Sequence, residues 1–124
     1  MSYWFLKKSV NLYGETLLKT IALKSGKLAT TSKGAETEIN FWSAKGINKS
    51  ALNIIDGSGL SPGDRVTTSA MANVLFQIQK ENWFIDFYKG LPEYNGMKIK
   101  SGTINDVSAF AGYHTDAAGN KYVI

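Results

Sequence analysis

Cysteine is missing from all 124 residues, which removes disulfides and thiolate metal sites and is compatible with any compartment. Arginine occurs once, as Arg65, and histidine once, as His114. A nucleic-acid surface wants clustered basic residues or arginines interleaved with aromatics. Here the formal charge of +4 comes with lysines spread from Lys7 to Lys121, which reads as surface solvation, compatible with attraction to an anionic substrate or envelope. No other metal-ligand type stands at suitable spacing from His114, so no metal site is expected and a surface position is assigned to it. Long apolar runs are lacking too. Tyr3-Trp4-Phe5-Leu6 is too short to cross a bilayer and lacks the small-residue cleavage site of a signal peptide, so this end of the chain gives no address.

What is present is globular: 44% hydrophobic and 19% charged residues, at a length typical of one domain. Tyr3 to Lys8 predicts the last turns of a helix, with paired lysines at its negative end. A second helix is expected from Leu12 to about Leu23, through Leu17, Leu18, Ile21 and Ala22, with Gly26 as its stop. Between them lies Ser9-Val10-Asn11, whose plain explanation is capping of the second helix. Lys27 to Gly34 predicts a loop. Ala35 to Lys45 predicts a helix with Glu36 and Glu38 in its first turn and Phe41-Trp42 in the core. Ala51 to Ile55 is extended, and Asp56-Gly57-Ser58-Gly59-Leu60-Ser61-Pro62-Gly63-Asp64 is a loop needing several unusual backbone angles. Its Gly57-Ser58-Gly59 has neither the spacing of a nucleophile elbow nor the lysine of a phosphate-binding loop.

Thr67-Thr68-Ser69 supplies a cap for a helix running to about Lys80, with Met71, Val74, Leu75 and Ile78 on one face. A short aromatic helical run follows from Trp83 to Tyr88. After Gly90-Leu91-Pro92 the period changes to two. Met97 to Ile104 predicts one strand and Val107 to Thr115 another, the latter covered on both faces because neither alternating set holds much charge. Asp116-Ala117-Ala118-Gly119 predicts a hairpin turn into a last strand. Helices first and an antiparallel meander of about three strands afterwards make an α+β pattern. The expected organisation is one unit over residues 1–124, mostly helical over 1–90 and stranded over 97–124.

Three segments together resemble the penicillin-binding serine D-alanyl-D-alanine carboxypeptidases and endopeptidases, the class C low-molecular-mass branch of the β-lactamase/transpeptidase-like superfamily. Ser9-Val10-Asn11 with its following helix is similar to the Ser-x-Asn motif. Asp56-Gly57-Ser58-Gly59-Leu60-Ser61 matches a loop of that branch, and Lys100-Ser101-Gly102-Thr103 resembles the Lys-Thr/Ser-Gly strand. The resemblance implies a partial transpeptidase-like fold with Ser9, Asn11 and Lys100 as catalytic residues. Lys100 would lie beneath the site and help Ser9 shuttle a proton to the leaving amine. Asn11 would hold the substrate amide. Ser101, Gly102 and Thr103 would bind substrate, the hydroxyls receiving a terminal carboxylate and the Thr103 N–H serving as an oxyanion donor. Peptidoglycan peptides and β-lactams are the implied partners and the cell envelope the implied location, with no cofactor, metal or nucleic acid.

One part of that chemistry has no residues here. The family's nucleophile is a serine three residues before a lysine, and no serine in this chain stands so: Ser9 leads to Leu12, Ser43 to Gly46, Ser58 to Ser61 and Ser101 to Ile104. In this family the motif lies N-terminal to Ser-x-Asn. Both ends of the sequence also read as internal to a larger fold. The expectation is therefore a fragment of a longer peptidase, inactive alone, with unpaired strand edges that promote self-association. The alternatives are a non-catalytic relative acting as a binding or structural module, or an esterase or β-lactamase of the same fold.

Overall fold

The computed structural model describes residues 2–124. It divides into two compact units: the segment up to Ser9 joined with Met71–Ile124, and Val10–Ala70 between them.

In the Val10–Ala70 unit, α2 (Asn11–Lys24) and α3 (Thr31–Ala44) follow the short helix α1 (Ser2–Lys8) in chain order. α2 buries Gly14, Leu18 and Ala22, an i, i+4 stripe, while α3 buries Gly34 and Ala35. The two helices approach closely at Gly34, where a Cβ would lie 2.7 Å from the Leu18 carbonyl carbon. The expected loop up to Gly34 is shorter than its composition suggested. Thr30 caps α3, its hydroxyl accepting from the Lys33 N–H at 3.3 Å, so the Thr/Ser run is cap chemistry and the helix begins at Thr31. Glu36 and Glu38 consequently fall beyond the first turn. Phe41 is not core: it is 54% exposed, edge-on to Trp42, with the Lys45 ammonium 5.2 Å from its ring. After a 3-10 turn at Lys49–Ala51, β1 (Leu52–Asn53) pairs antiparallel with β2 (Arg65–Val66), and the Asp56–Asp64 loop is the excursion between them. Of the unusual backbone angles expected there, only Gly59 has a positive φ, +75°.

α4 (Thr68–Ile78) leads into the other unit, its first turn capped by Thr67, whose hydroxyl accepts from the Ala70 N–H at 3.2 Å. α5 (Phe84–Gly90) follows, then β3 (Glu93–Tyr94), β4 (Met97–Ile104), β5 (Val107–Thr115) and β6 (Lys121–Val123). The last four form one antiparallel sheet in the order β3-β4-β5-β6. β3 lies outside the strands that alternation predicts. Asn95 and Gly96 both take positive φ, 50° and 75°, as a tight two-residue hairpin requires, so an Asn-Gly pair makes the extra strand. Tyr113 on β5 anchors the sheet to the helices of its unit. Its ring meets Phe84 at 5.4 Å and Tyr88 at 5.7 Å, and its hydroxyl donates to the Leu75 carbonyl at 2.7 Å. That carbonyl is among the last four of α4, which have no partner within the helix.

β5 departs from the expectation that both its faces are covered. Val107 to Phe110 are exposed, and full burial is confined to Gly112 and Tyr113. Low charge in a strand records what it tolerates, while cover depends on which elements reach it. His114 likewise is not a plain surface residue. It is partly buried, stacks on Tyr122 at 6.3 Å, and its Nδ1 is enclosed without a hydrogen-bond partner.

Candidate active site

Ser9 follows α1 directly and has φ +52°. A left-handed residue is a common way to end a helix, but glycine normally occupies it because a Cβ is strained there. The capping explanation of Ser-x-Asn does not hold either. The N-cap of α2 is Val10, with no side-chain hydrogen bond, and Asn11 is already the first helical residue. Both polar side chains are exposed, a serine in a strained position and an asparagine at a helix start that has no side-chain cap.

Lys100, Ser101, Gly102 and Thr103 lie on β4, in the same unit as Ser9. Asn11 belongs to the Val10–Ala70 unit. Register fixes which way each strand residue presents its backbone. β4 and β5 turn at Asn105-Asp106, closing on the Ile104–Val107 pair, with Gly102 opposite Ala109 and Lys100 opposite Ala111. In an antiparallel ladder hydrogen-bonded pairs alternate, so Ile104, Gly102 and Lys100 bond to β5 while Thr103, Ser101 and Ile99 direct N–H and C=O away from it. Two observations agree. The Ile99 N–H donates to the Pro92 carbonyl on the β3 side, and Gly112, opposite Ile99, bonds to Ile124 instead. β3 pairs only with Met97 and Lys98, so the Ser101 and Thr103 backbone groups face an open edge.

Side chains alternate likewise. Lys100 and Gly102 share the Tyr113 face. Ser101 and Thr103 are exposed on the other, Ser101 opposite Phe110, itself 57% exposed. Beside Gly102 there is room, since an added Cβ would meet nothing within 4 Å. Lys100 is partly buried, and that desolvation lowers its pKa from the usual lysine value, making the ammonium a readier proton donor. Its Nζ donates to the Ser101 carbonyl. Among the described residues no hydrogen bond joins Ser9 to Lys100. Neighbouring Lys98 pairs with Glu93 at 3.2 Å.

In the Val10–Ala70 unit, the Asp56–Ser61 loop is closed on its own aspartate. Asp56 Oδ1 accepts from the Ser58 N–H at 2.9 Å and the Gly59 N–H at 2.6 Å, and Oδ2 accepts from the Ser61 N–H at 3.0 Å. Burial opposes ionisation of Asp56, yet the Gly59 N–H, the Ser58 hydroxyl at 3.0 Å and the Ser61 N–H outweigh it and hold its pKa below the ordinary value. Asp64 goes the other way. Burial raises its pKa despite N–H donation from Ile55 at 2.6 Å and Asp56 at 3.3 Å, and the neighbouring Asp56 charge adds to the rise. Glu38 is raised as well, by burial first and by Asp64 second.

The sequence profile of the D-Ala-D-Ala carboxypeptidase 3 (S13) family matches residues 3–124. The chain belongs to that family. A D-alanyl-D-alanine carboxypeptidase of Actinomadura sp. (strain R39) is 28% identical over 130 residues, an alignment covering 88% of this chain and 24% of the relative. Penicillin binding protein 4 from Haemophilus influenzae, solved in complex with a novel β-lactam, has the same fold. It superposes with a TM-score of 0.88 at 23% identity, over 98% of this chain and 32% of that one. A second structure of that protein gives a TM-score of 0.86 at 23% identity, over 98% and 31% of the two chains. The chain thus spans about a quarter of the curated relative and about a third of the solved ones. The resemblance drawn from Ser-x-Asn and Lys-Ser-Gly agrees with the family match, and the mixed helix and antiparallel-sheet fold agrees with the solved structures.

Within each unit, further residues stand next to the motif segments. Glu15 and Thr31 brace the Asp56–Ser61 loop, and Phe110 flanks Ser101. Glu15 stands four residues after Asn11, which places the two on one helix face; a partner so far along the chain is invisible to local pattern. Phe110 looks in the sequence like any strand aromatic, and only register sets it beside Ser101.

Proposed function

We propose that this chain is the binding and polarising part of a serine D-Ala-D-Ala carboxypeptidase or endopeptidase acting on peptidoglycan stem peptides in the cell envelope. It forms one part of a transpeptidase-like domain, mostly helical over 1–90 and stranded over 97–124. The observation that carries the reading is the open edge of β4, where the Ser101 and Thr103 backbone groups have no strand partner in register. An extended peptide lies along such an edge as an added strand. The Thr103 N–H then donates to the oxyanion formed when a serine attacks the scissile carbonyl. Loss of a donor of this kind costs ~100- to 1,000-fold in rate.

Lys100, with its lowered pKa, passes a proton through the Ser9 hydroxyl to the leaving amine, and Asn11 holds the substrate amide. The exposed Ser101 and Thr103 hydroxyls receive the terminal carboxylate. The attacking serine is supplied by a Ser-x-x-Lys segment of the complete enzyme, since none occurs within these residues, and a β-lactam acylates the same serine.

Fluorescent penicillin and mass measurement test this. The 124-residue chain alone stays unlabelled, whereas the complete enzyme is acylated at a Ser-x-x-Lys serine and releases D-alanine from a D-Ala-D-Ala peptide. Lys100→Ala in the complete enzyme slows acylation by ~100-fold or more. A complete protein that neither reacts with penicillin nor releases D-alanine refutes the proposal, and stoichiometric labelling of the chain alone refutes the missing nucleophile.

A further inference from the structure

Glu15 has a role that none of the three sequence motifs assigns. Its Oε1 accepts from the N–H groups of Gly57 at 2.8 Å and Ser58 at 3.2 Å, while Oε2 accepts from the Thr31 hydroxyl at 3.1 Å. One carboxylate therefore joins α2, the start of α3 and the glycine loop. The backbones close in behind it. A Cβ on Gly57 would sit 2.6 Å from the Gly14 carbonyl carbon and 2.9 Å from the Glu15 nitrogen, so the loop lies directly on the first turns of α2. The loop is stiff in its own right because Asp56 gathers the Ser58, Gly59 and Ser61 N–H groups. Asn11 stands one turn before Glu15 on the same helix, at an end where no side chain caps the backbone. One turn further in, Glu15 ties α2 to the loop and to the start of α3.

We propose that Glu15 is a positioning residue: by clamping the Gly57-Ser58 backbone and Thr31 onto α2, it sets the orientation in which Asn11 is offered to the substrate amide. The proposal rests on the peptidase reading for what Asn11 does, but not for whether Glu15 holds it in place. Geometry and not charge performs the clamping. A glutamine keeps Oε1 for the two N–H groups, and its NH2 donates to the Thr31 hydroxyl, which then accepts.

The test uses the 124-residue chain, isotopically labelled, with Glu15→Ala, Glu15→Gln and Thr31→Val, and follows the Asn11 side-chain amide together with exchange of the Gly57 and Ser58 N–H groups. In Glu15→Ala the Gly57 amide exchanges at least ~10-fold faster, the Ser58 amide less so because Asp56 still accepts from it at 2.9 Å, and the Asn11 resonances shift and broaden. Glu15→Gln restores both. Where Glu15→Ala does not fold, Thr31→Val decides: a shifted Asn11 amide in a folded chain supports the clamp. Asn11 resonances unchanged in a folded Glu15→Ala, or in Thr31→Val when that variant decides, overturn it. In the complete enzyme, acylation below the melting temperature falls up to ~100-fold with Glu15→Ala and returns with Glu15→Gln, whereas a variant that is only less stable keeps its rate at a temperature where it stays folded. Because the resonance measurement needs no catalysis, a displaced Asn11 in an enzyme that never acylates refutes the peptidase reading alone.

Discussion

Replacing Ser9 with glycine separates what is good for the backbone from what is good for the chemistry. At φ +52° a residue with a Cβ is strained by ~1–2 kcal/mol. Glycine removes that strain but gains freedom in the unfolded chain, which returns ~0.4–1 kcal/mol. The net expectation is a stabilisation of about 0.5–1 kcal/mol, or about 2–4 °C in melting temperature for a chain of this length. Ser9→Ala is the control: it removes the hydroxyl, keeps the strain, and leaves the melting temperature level or lower. Circular dichroism melts of the 124-residue chain give the stability arm. The functional arm is penicillin acylation of the complete enzyme, which falls ~100-fold or more in both variants because proton transfer through the hydroxyl is gone. A Ser9→Gly variant less stable than Ser9→Ala would refute the strain argument. One that acylates at the wild-type rate would refute the role given to the side chain.

Gly57→Ala drives a Cβ into the Gly14–Glu15 backbone; it is expected to cost ~3 kcal/mol, the upper end for overpacking, because neither side can rotate away, and a fall of about 12 °C in a thermal melt checks it. Tyr113→Phe leaves the Leu75 carbonyl without its 2.7 Å hydroxyl donor and costs ~1 kcal/mol in urea titrations at neutral pH. Since burial pushes the Tyr113 pKa up from 10.0 to about 12, the wild type should lose its advantage as pH rises from the lower value to the higher, while the phenylalanine variant shows no such decline. Glu38→Gln should stabilise the chain at neutral pH. The raised folded pKa of Glu38 means its favourable contribution is present below the unfolded value and is lost as pH rises through the folded one, so the benefit of glutamine should vanish in acid; denaturant midpoints across pH read this directly. The open edge of β4 and the outer edge of β6 should promote self-association, seen as a concentration-dependent sedimentation coefficient, and a clean monomer at high concentration would count against it.

Much of this architecture is written in local pattern. Leu18 and Ala22 fall on the buried stripe of α2 as helical spacing dictates, and Leu75 and Ile78 do the same in α4. β4 occupies Met97–Ile104 and β5 Val107–Thr115, as their alternation predicted. Periodicity of this kind depends only on backbone geometry, which every residue shares. Lys-Ser-Gly-Thr on one strand and Ser-x-Asn before a helix were legible for the same reason, as short runs in contiguous chain. Even the Asn-Gly hairpin that makes β3 was available in the sequence, through the positive φ that both residues accept.

Other features came only with folding, because each depends on what a distant segment does. Phe41 keeps the composition of a core residue and the exposure of a surface one. Val107 to Phe110 lack cover despite their low charge. Glu15 meets Gly57 across 42 residues of chain, a contact with no periodicity to announce it. The strain at Ser9 is likewise a tertiary decision: its residue type was visible, but the left-handed angle follows from how α1 ends and α2 begins. The sequence by itself determined which helices and strands form and named the motif residues. Tertiary structure decided which backbone groups are left open and which carboxylate braces the loop, since burial and register are properties of pairs of segments and not of any one run of residues.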